Sequence, residues 1–216
     1  MALKKGDFIE IEYTAIDKES GKIFDLTSKE LAKKEGVFNP KGKYGAFAVC
    51  LGEKHILPGL DEELIGKDVG KEYVIEVSPE KGFGKKDMKL MKIVPTAIFK
   101  KQQITPYPGL QINMDGIMGI VRTVSGGRTI MDFNHPLAGH HLEYKIKVNK
   151  IITDSLAKLK SLIDLSDPNA KISLQNNEAT TESQIANQSH KVLEEKIKKL
   201  IPSIKKVYFK KTNTKK

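Results

Sequence analysis

The sequence predicts an α+β protein: an antiparallel sheet around one short helix, interrupted by a mainly β insertion and followed by a small α+β extension. Three observations predict it. Apolar and polar residues alternate over 9–13 and 142–148, and Tyr73, Ile75 and Val77 recur at the same period, that of a half-buried strand. Composition changes abruptly between the second and third of these stretches, over 87–132. From Thr153 onward the apolar spacing turns helical.

Taken in order, Ile9, Ile11 and Tyr13 point one way and Glu10 and Glu12 the other. Ser20-Gly21 makes a turn, and Lys22–Leu26 resumes an extended run. Ser28 to Gly36 reads as a short helix with Ser28 as its N-cap. Gly45–Leu51 is an apolar run suited to a buried strand. In Leu57-Pro58-Gly59-Leu60-Asp61-Glu62-Glu63-Leu64-Ile65-Gly66, Leu60 and Leu64 share a face, acids crowd the first turn and Gly66 ends it, so a short amphipathic helix is expected. Tyr73, Ile75 and Val77 alternate as a strand.

Five of the six methionines lie between 87 and 132, and Asp115-Gly116 and Ser125-Gly126-Gly127-Arg128 punctuate that segment as hairpins. Pro95–Phe99 reads as a helical turn. Leu142, Tyr144, Ile146 and Val148 then resume the first pattern. Past it, Thr153 is the expected N-cap of a helix carrying Leu156, Leu159 and Ile163. Ile172–Leu174 reads as a strand, Gln175–Ser183 as a loop, Glu182–Ile201 as a helix stopped by Pro202, and Lys206–Phe209 as a last strand. The chain is thus expected to comprise a split domain over 1–86 and 133–152, an insert over 87–132 and an extension over 153–216 with a basic tail.

Composition narrows the function classes. With 216 residues, 39% apolar and 30% charged, the chain can bury one sizeable core with attachments. No run of 18 apolar residues suggests a membrane helix, and the opening residues turn polar at once, so a cytoplasmic location with no membrane partner is expected. The single cysteine, Cys50, excludes an internal disulfide framework; inside an apolar strand it reads as a buried, inert thiol. Net charge is +10, with +4 over 1–150 and +6 over 151–216. The last sixteen residues hold six lysines and no acid. Two readings of this tail stand: contact with a ribosome or nucleic acid through phosphate attraction, or a solvated, solubilising end. The apolar stripes of the extension allow a homodimer through that region.

Enzyme signatures built on a nucleophile or a phosphate loop are missing: there is no Gly-x-Ser-x-Gly, no P-loop and no Gly-x-Gly-x-x-Gly after a strand. His135, His140 and His141 gather beside Pro136 and Gly139. Without a cysteine nearby, and with Asn134 and Pro136 typical of a turn, they are read as turn residues and no metal is assigned. The informative set is Tyr13, Phe24-Asp25, Phe47, Ile56-Leu57-Pro58-Gly59-Leu60, Val77-Ser78-Pro79-Glu80-Lys81-Gly82-Phe83-Gly84 and Asp132-Phe133-Asn134-His135-Pro136-Leu137-Ala138-Gly139.

In order and spacing this set resembles the FKBP family of peptidyl-prolyl cis/trans isomerases, its SlyD-type branch, and most of all the long archaeal form with a C-terminal domain. The resemblance covers roughly residues 3–152. It implies an antiparallel half-barrel around the short helix, an insert-in-flap domain over about 87–132, and proline-containing or unfolded polypeptides as partners. Carried over, Tyr13, Phe47 and Tyr144 become aromatic walls of a proline pocket. Ile56 and Leu57 border the substrate, with the Leu57 amide on a substrate carbonyl. Leu60 becomes the floor, Phe24 lines the cleft and Asp25 supplies its one acid. Phe83 stands where the family usually has a tyrosine, which removes a hydroxyl from the site.

Without the resemblance, Tyr13, Phe83 and Tyr144 alone would read as core, since a barrel face needs large residues. Asp25 argues otherwise, because a carboxylate following Phe24 in an extended run needs solvent or a partner; its structural alternatives are a turn to cap and a hydrogen bond from the Tyr13 hydroxyl. No cofactor is expected. The insert's Met91, Met114 and Met118, with Ile93, Ile98 and Phe99, suit either a groove for unfolded chain or an adaptable core. Three functions compete on this basis: an isomerase that is also a folding chaperone, a holdase with a decayed pocket, and a ribosome- or nucleic-acid-associated protein.

Overall fold

A computed structural model describes residues 1–114 and 116–211 of the chain. Asp115, the first half of an expected hairpin turn, and 212–216, the end of the basic tail, lie outside the described residues. In chain order the elements are β1 (Phe8–Asp17), β2 (Ile23–Leu26), α1 (Lys29–Lys34), β3 (Phe47–Cys50), α2 (Pro58–Leu64), β4 (Glu72–Val77), β5 (Met91–Pro95) and α3 (Thr96–Lys101). They continue with β6 (Gln111–Met114), β7 (Ile117–Ser125), β8 (Arg128–Asp132), β9 (Leu142–Ile151), α4 (Ser155–Asp164), β10 (Lys171–Gln175), β11 (Glu178–Ser183), α5 (Asn187–Leu200) and β12 (Lys206–Lys211). The fold is α+β, with mainly antiparallel sheets and few helices. Two compact units divide it: Met1–Ile16, Ile23–Ile75 and the chain from Glu143 onward form one, and Asp17–Lys22 with Glu76–Leu142 form the other.

The first unit is built on a five-stranded sheet in the order β2-β1-β9-β4, with β3 also paired to β1. β1 meets β3 through Phe8↔Cys50 to Ile11↔Phe47, then meets β2 through Thr14↔Leu26, with a bulge at Ala15/Ile16. Ile9, Ile11, Val49, Ile146 and Val148 are essentially fully buried, as are Leu60 and Leu64 of α2. The alternation of β1 therefore does what its sequence requires: it gives the sheet one apolar face. Ser28 caps α1 as expected, its hydroxyl accepting the Leu31 amide at 3.2 Å.

The other face of β1 is not left to solvent. Phe8 and its cross-strand partner Cys50, both fully buried, join Ile152, Leu159, Leu162, Ile163, Ile197, Ile201 and Ile204 in one hydrophobic cluster. The segment from 153 onward thus shares a core with β1 and β3. Burial, followed by the charge of Glu53, pushes the Cys50 thiol up to about 12, so it stays protonated and inert.

Three sequence expectations fail in this region. The N-cap of α4 is Asp154, not Thr153: its carboxylate accepts the Ala157 amide at 2.7 Å. Gln175–Ser183 is no loop, for β10 and β11 form a hairpin through Asn176 and Asn177, both in the left-handed region at φ 48° and 65°. And α5 starts at Asn187, not Glu182, because Glu182 pairs with β10 on one side, and Glu182 and Ser183 pair in parallel with β12 on the other.

The second unit carries a four-stranded antiparallel sheet, β5-β8-β7-β6. Phe99 of α3, Ile112, Val121 and Met131 form its core, with Val94, Ile104, Leu110 and Phe133 packed around them. Gly119 lies where any side chain would collide: a Cβ there would stand 2.7 Å from the Phe133 ring and 2.9 Å from the Met131 methyl carbon. Among the described residues no helix is long and apolar enough to cross a membrane.

Candidate functional site

Strands β1, β2 and β9 bring four of the predicted site residues together. Tyr144, on β9, is almost wholly buried and touches two rings: Tyr13 with centroids 5.8 Å apart, and Phe24 edge-on at 6.0 Å. The antiparallel β1–β2 pairing, Ala15↔Asp25, sets Asp25 beside Tyr13. The Tyr13 hydroxyl donates to Asp25 Oδ2 at 2.7 Å, a short bond of the charge-assisted kind. Asp25 Oδ1 accepts the Leu26 amide at 2.9 Å, so both carboxylate oxygens are engaged. Thr27 pins the same stretch, donating its amide to the Tyr13 carbonyl at 3.0 Å while its hydroxyl accepts the Tyr13 amide at 2.9 Å.

The electrostatics follow from this arrangement. Burial first, and then the hydrogen bond and charge of Asp25, push the Tyr13 phenol well above its ordinary value. Burial and the Asp25 charge do the same to Tyr144. Both hydroxyls keep their protons throughout the physiological range. The site is therefore a cluster of neutral aromatic rings with one fixed carboxylate at its edge.

The remaining predicted residues are distributed around the same unit, with one exception. Phe47, half-buried on β3, pairs with Ile11. Ile56 and Leu57 are half-buried in the segment entering α2. Leu57 is the N-cap of that helix, and its carbonyl accepts the Leu60 and Asp61 amides. Leu60 is 3% exposed and belongs to the core beneath. Phe24 and Asp25 also line a hollow of about 310 Å³ with Val37, Asn39 and Tyr44. Tyr44, which no sequence signal marks, stacks on Phe38 at 5.5 Å, and its hydroxyl accepts the Asn39 amide. Phe83 lies in the second unit, stacked on the His135 ring at 4.3 Å.

In the second unit the candidate chain-binding residues separate by face. Phe99, at 1% exposure, is core, which removes it from any binding surface; Met114 packs against that core. Ile93, Ile98 and Met118 are exposed and Met91 half-exposed. Ile93 pairs with Ile130 on β8, one position out of step with core residues Val94 and Met131, so the two isoleucines lie on the face away from Phe99. Met88 and Ile117, which share in the methionine and isoleucine density that marks the segment, are exposed as well, as are Leu90 and Tyr107, which no sequence signal singled out. His135, His140 and His141 do not converge, since His135 is taken up by Phe83 and His140 by Asp17.

Comparison with known proteins agrees with this geometry. Residues 1–100 match the family model described as FKBP-type peptidyl-prolyl cis-trans isomerase, and residues 92–137 match one described as FKBP26, IF domain. A short-type peptidyl-prolyl cis-trans isomerase of Methanocaldococcus jannaschii is 32% identical over 149 residues, spanning 69% of this chain and 94% of the relative. The SlyD protein of Treponema pallidum, named an FKBP-type peptidyl-prolyl cis-trans isomerase, is 27% identical, spanning 70% of this chain and 81% of its own length. A 16 kDa FKBP-type isomerase of Escherichia coli is 29% identical over 47% of this chain and 70% of its own. With an aromatic cluster built on β1, β2 and β9 and a relative of this identity matched over nearly its whole length, the chain belongs to the FKBP-type peptidyl-prolyl cis-trans isomerase family and is an isomerase of that type.

Proposed function

We propose that the chain is a folding catalyst of two parts: an apolar pocket around Tyr13, Phe24, Asp25, Phe47, Ile56, Leu57, Leu60 and Tyr144 turns X-Pro bonds, and an insert over 87–132 holds unfolded chain. Rotation about a peptide bond is opposed by roughly 18–20 kcal/mol because the planar amide is resonance-stabilised. Uncatalysed prolyl isomerisation takes tens to hundreds of seconds, slow enough to limit folding. The twisted transition state is less dipolar than the planar amide. An environment of neutral rings therefore disfavours the ground state relative to the twisted form, where water does the reverse. A thousandfold acceleration needs only about 4 kcal/mol of such differential binding. Neither a covalent step nor a proton transfer is needed, which suits phenols that hold their protons and a carboxylate already bonded to one of them.

One observation carries the second part. The insert's sheet bears apolar residues on both faces, yet only one face is filled by Phe99, Val121 and Met131, while Ile93 on the other is 66% exposed. A small domain that leaves isoleucine and methionine uncovered has a surface suited to extended apolar chain. Its methionines serve both roles, Met131 in the core and Met118 outside it. Captured chain held at a short tether presents its prolines to the pocket at an effective concentration toward millimolar.

Catalysed refolding of a proline-limited protein, set beside turnover of a Xaa-Pro tetrapeptide, tests the reading. Both should be accelerated, refolding more strongly. A chain that suppresses aggregation but leaves the tetrapeptide at its uncatalysed rate would instead be a holdase. That second reading is favoured by Phe83, which offers no hydroxyl and stacks flat on His135, 8° from parallel.

A further inference from the structure

Outside the aromatic cluster, one constellation of metal-binding side chains stands out in the second unit. Asp17 and Glu19, in the turn that follows β1, converge on His140, 123 residues away from Asp17 in sequence. His140 Nδ1 lies 3.0 Å from Asp17 Oδ1 and 3.7 Å from Glu19 Oε2. All three donor atoms fall within 4.8 Å of one another. Ligands about 2.1 Å from a common ion sit roughly 3.0–3.4 Å apart in octahedral or tetrahedral geometry, so these separations are those of a first coordination shell needing small adjustment.

An aspartate–histidine hydrogen bond alone does not explain the cluster, because it requires one carboxylate. Here a second carboxylate is brought to the same ring nitrogen and held there, Glu19 Oε1 accepting the His141 amide at 2.8 Å. Asp17 is 5% exposed. Its oxygens also accept the Ser20 hydroxyl and the Glu19 amide, which fix the carboxylate in the turn. The result is a buried carboxylate and an exposed one facing one half-buried imidazole.

We infer that Asp17, Glu19 and His140 form a binding site for a divalent transition-metal ion, held by one imidazole and two carboxylates. Mixed nitrogen and oxygen donors without sulfur suit Zn²⁺, Ni²⁺, Co²⁺ or Mn²⁺ better than the all-oxygen preference of Ca²⁺ and Mg²⁺. Bound there, an ion replaces a hydrogen bond with coordinate bonds and ties the 17–22 turn to the 139–141 loop within the second unit. The site is independent of the isomerase reading.

The full chain, freed of metal, is titrated with Ni²⁺, Zn²⁺ and Co²⁺ by calorimetry, and the Co²⁺ form is examined by visible and X-ray absorption. One ion per chain is expected, ligated by oxygen and a single imidazole. His140→Ala and Glu19→Gln should each weaken it at least tenfold, while His135→Ala and His190→Ala leave it unchanged. Glu19→Gln is the decisive variant, because its amide oxygen still accepts the His141 amide and the turn keeps its shape, which circular dichroism checks. Absence of saturable binding, binding that follows His135 or His190, or binding indifferent to both Glu19→Gln and His140→Ala would overturn the assignment.

Discussion

Lys196 of α5 places its ammonium 3.0 Å from His55 Nε2, while the Cys50 amide donates to His55 Nδ1 at 3.1 Å. Both ring nitrogens are thereby engaged, two residues before the Leu57 cap of α2. A proton added to the ring must break the Cys50 bond or sit against a cation. Burial first, and then Lys196, lower the His55 pKa from its ordinary 6.5, with Glu53 and Asp61 opposing.

This contact sets a pH dependence of stability. The folded pKa of His55 lies below the unfolded one, so its contribution is complete above about pH 6.5 and is lost as pH falls below that toward the folded value. Urea midpoints should decline between pH 7 and pH 5 in the native chain. His55→Gln should flatten that part of the profile. A profile that keeps its slope in the variant would assign the loss to other groups.

Asp25 is expected to matter for turnover and not for folding, since it is exposed at the edge of its strand. Asp25→Leu should lower tetrapeptide isomerisation about tenfold, equal to about 1.4 kcal/mol of transition-state stabilisation, with the thermal midpoint nearly unchanged. A spectroscopic companion is available in Asp25→Asn. Its loss of charge should bring the Tyr13 phenol pKa down, read from tyrosinate absorbance, though burial keeps it above 10.0.

The hydrophobic cluster around Phe8 makes a prediction about truncation. A chain ending at Ile152 leaves Phe8, Cys50 and Ile152 without the α4 and α5 residues that bury them. Each large apolar side chain so uncovered costs roughly 1.5–3 kcal/mol. The shortened chain should therefore unfold at markedly lower urea, and Phe8→Ala in the full chain should cost roughly 3–5 kcal/mol. A truncated chain as stable as the full one would show that the extension adds no net burial.

Replacing 87–132 by a short loop closing Lys86 to Phe133 separates capture from chemistry. Tetrapeptide turnover should persist, because such a substrate reaches the pocket unaided. Catalysis of protein refolding should fall by one to two orders of magnitude, the loss expected when a tethered millimolar concentration disappears. Equal loss on both substrates would mean that the segment builds the pocket.

The half-barrel was legible because β1, β4 and β9 each bury one face, and period-two alternation records one buried face. It could not record two. Phe8 and Cys50 are covered by residues more than a hundred positions later, and nothing in β1 signals that second layer. β11 escaped notice because the side chains it buries are Ala179, Thr181 and Ser183, small or polar residues that do not read as apolar. Its hairpin was nonetheless written in Asn176-Asn177, a pair tolerant of positive φ. At the site, a hydrogen bond from the Tyr13 hydroxyl was the structural alternative to a pocket role for Asp25, and that bond is present. The Asp17–Glu19–His140 cluster was hidden because its histidine was read with its chain neighbours His135 and His141.

The pairing of β1 with β9 also has a consequence for synthesis. β1, Phe8–Asp17, finds its partners β2 and β3 early, but the strand that links it to β4, β9, only when Leu142–Ile151 has been made, and its second covering layer only near Ile204. Loop-closure entropy must be met across that whole span before β9 joins β1 to β4. The β5-β8-β7-β6 sheet, by contrast, lies wholly within Met91–Asp132 and needs no later residue for its hydrogen-bonded ladder. A nascent copy should therefore complete its exposed apolar sheet before its barrel, and for that interval it is itself a partly folded client whose β1 is paired to β2 and β3 but not yet to β9.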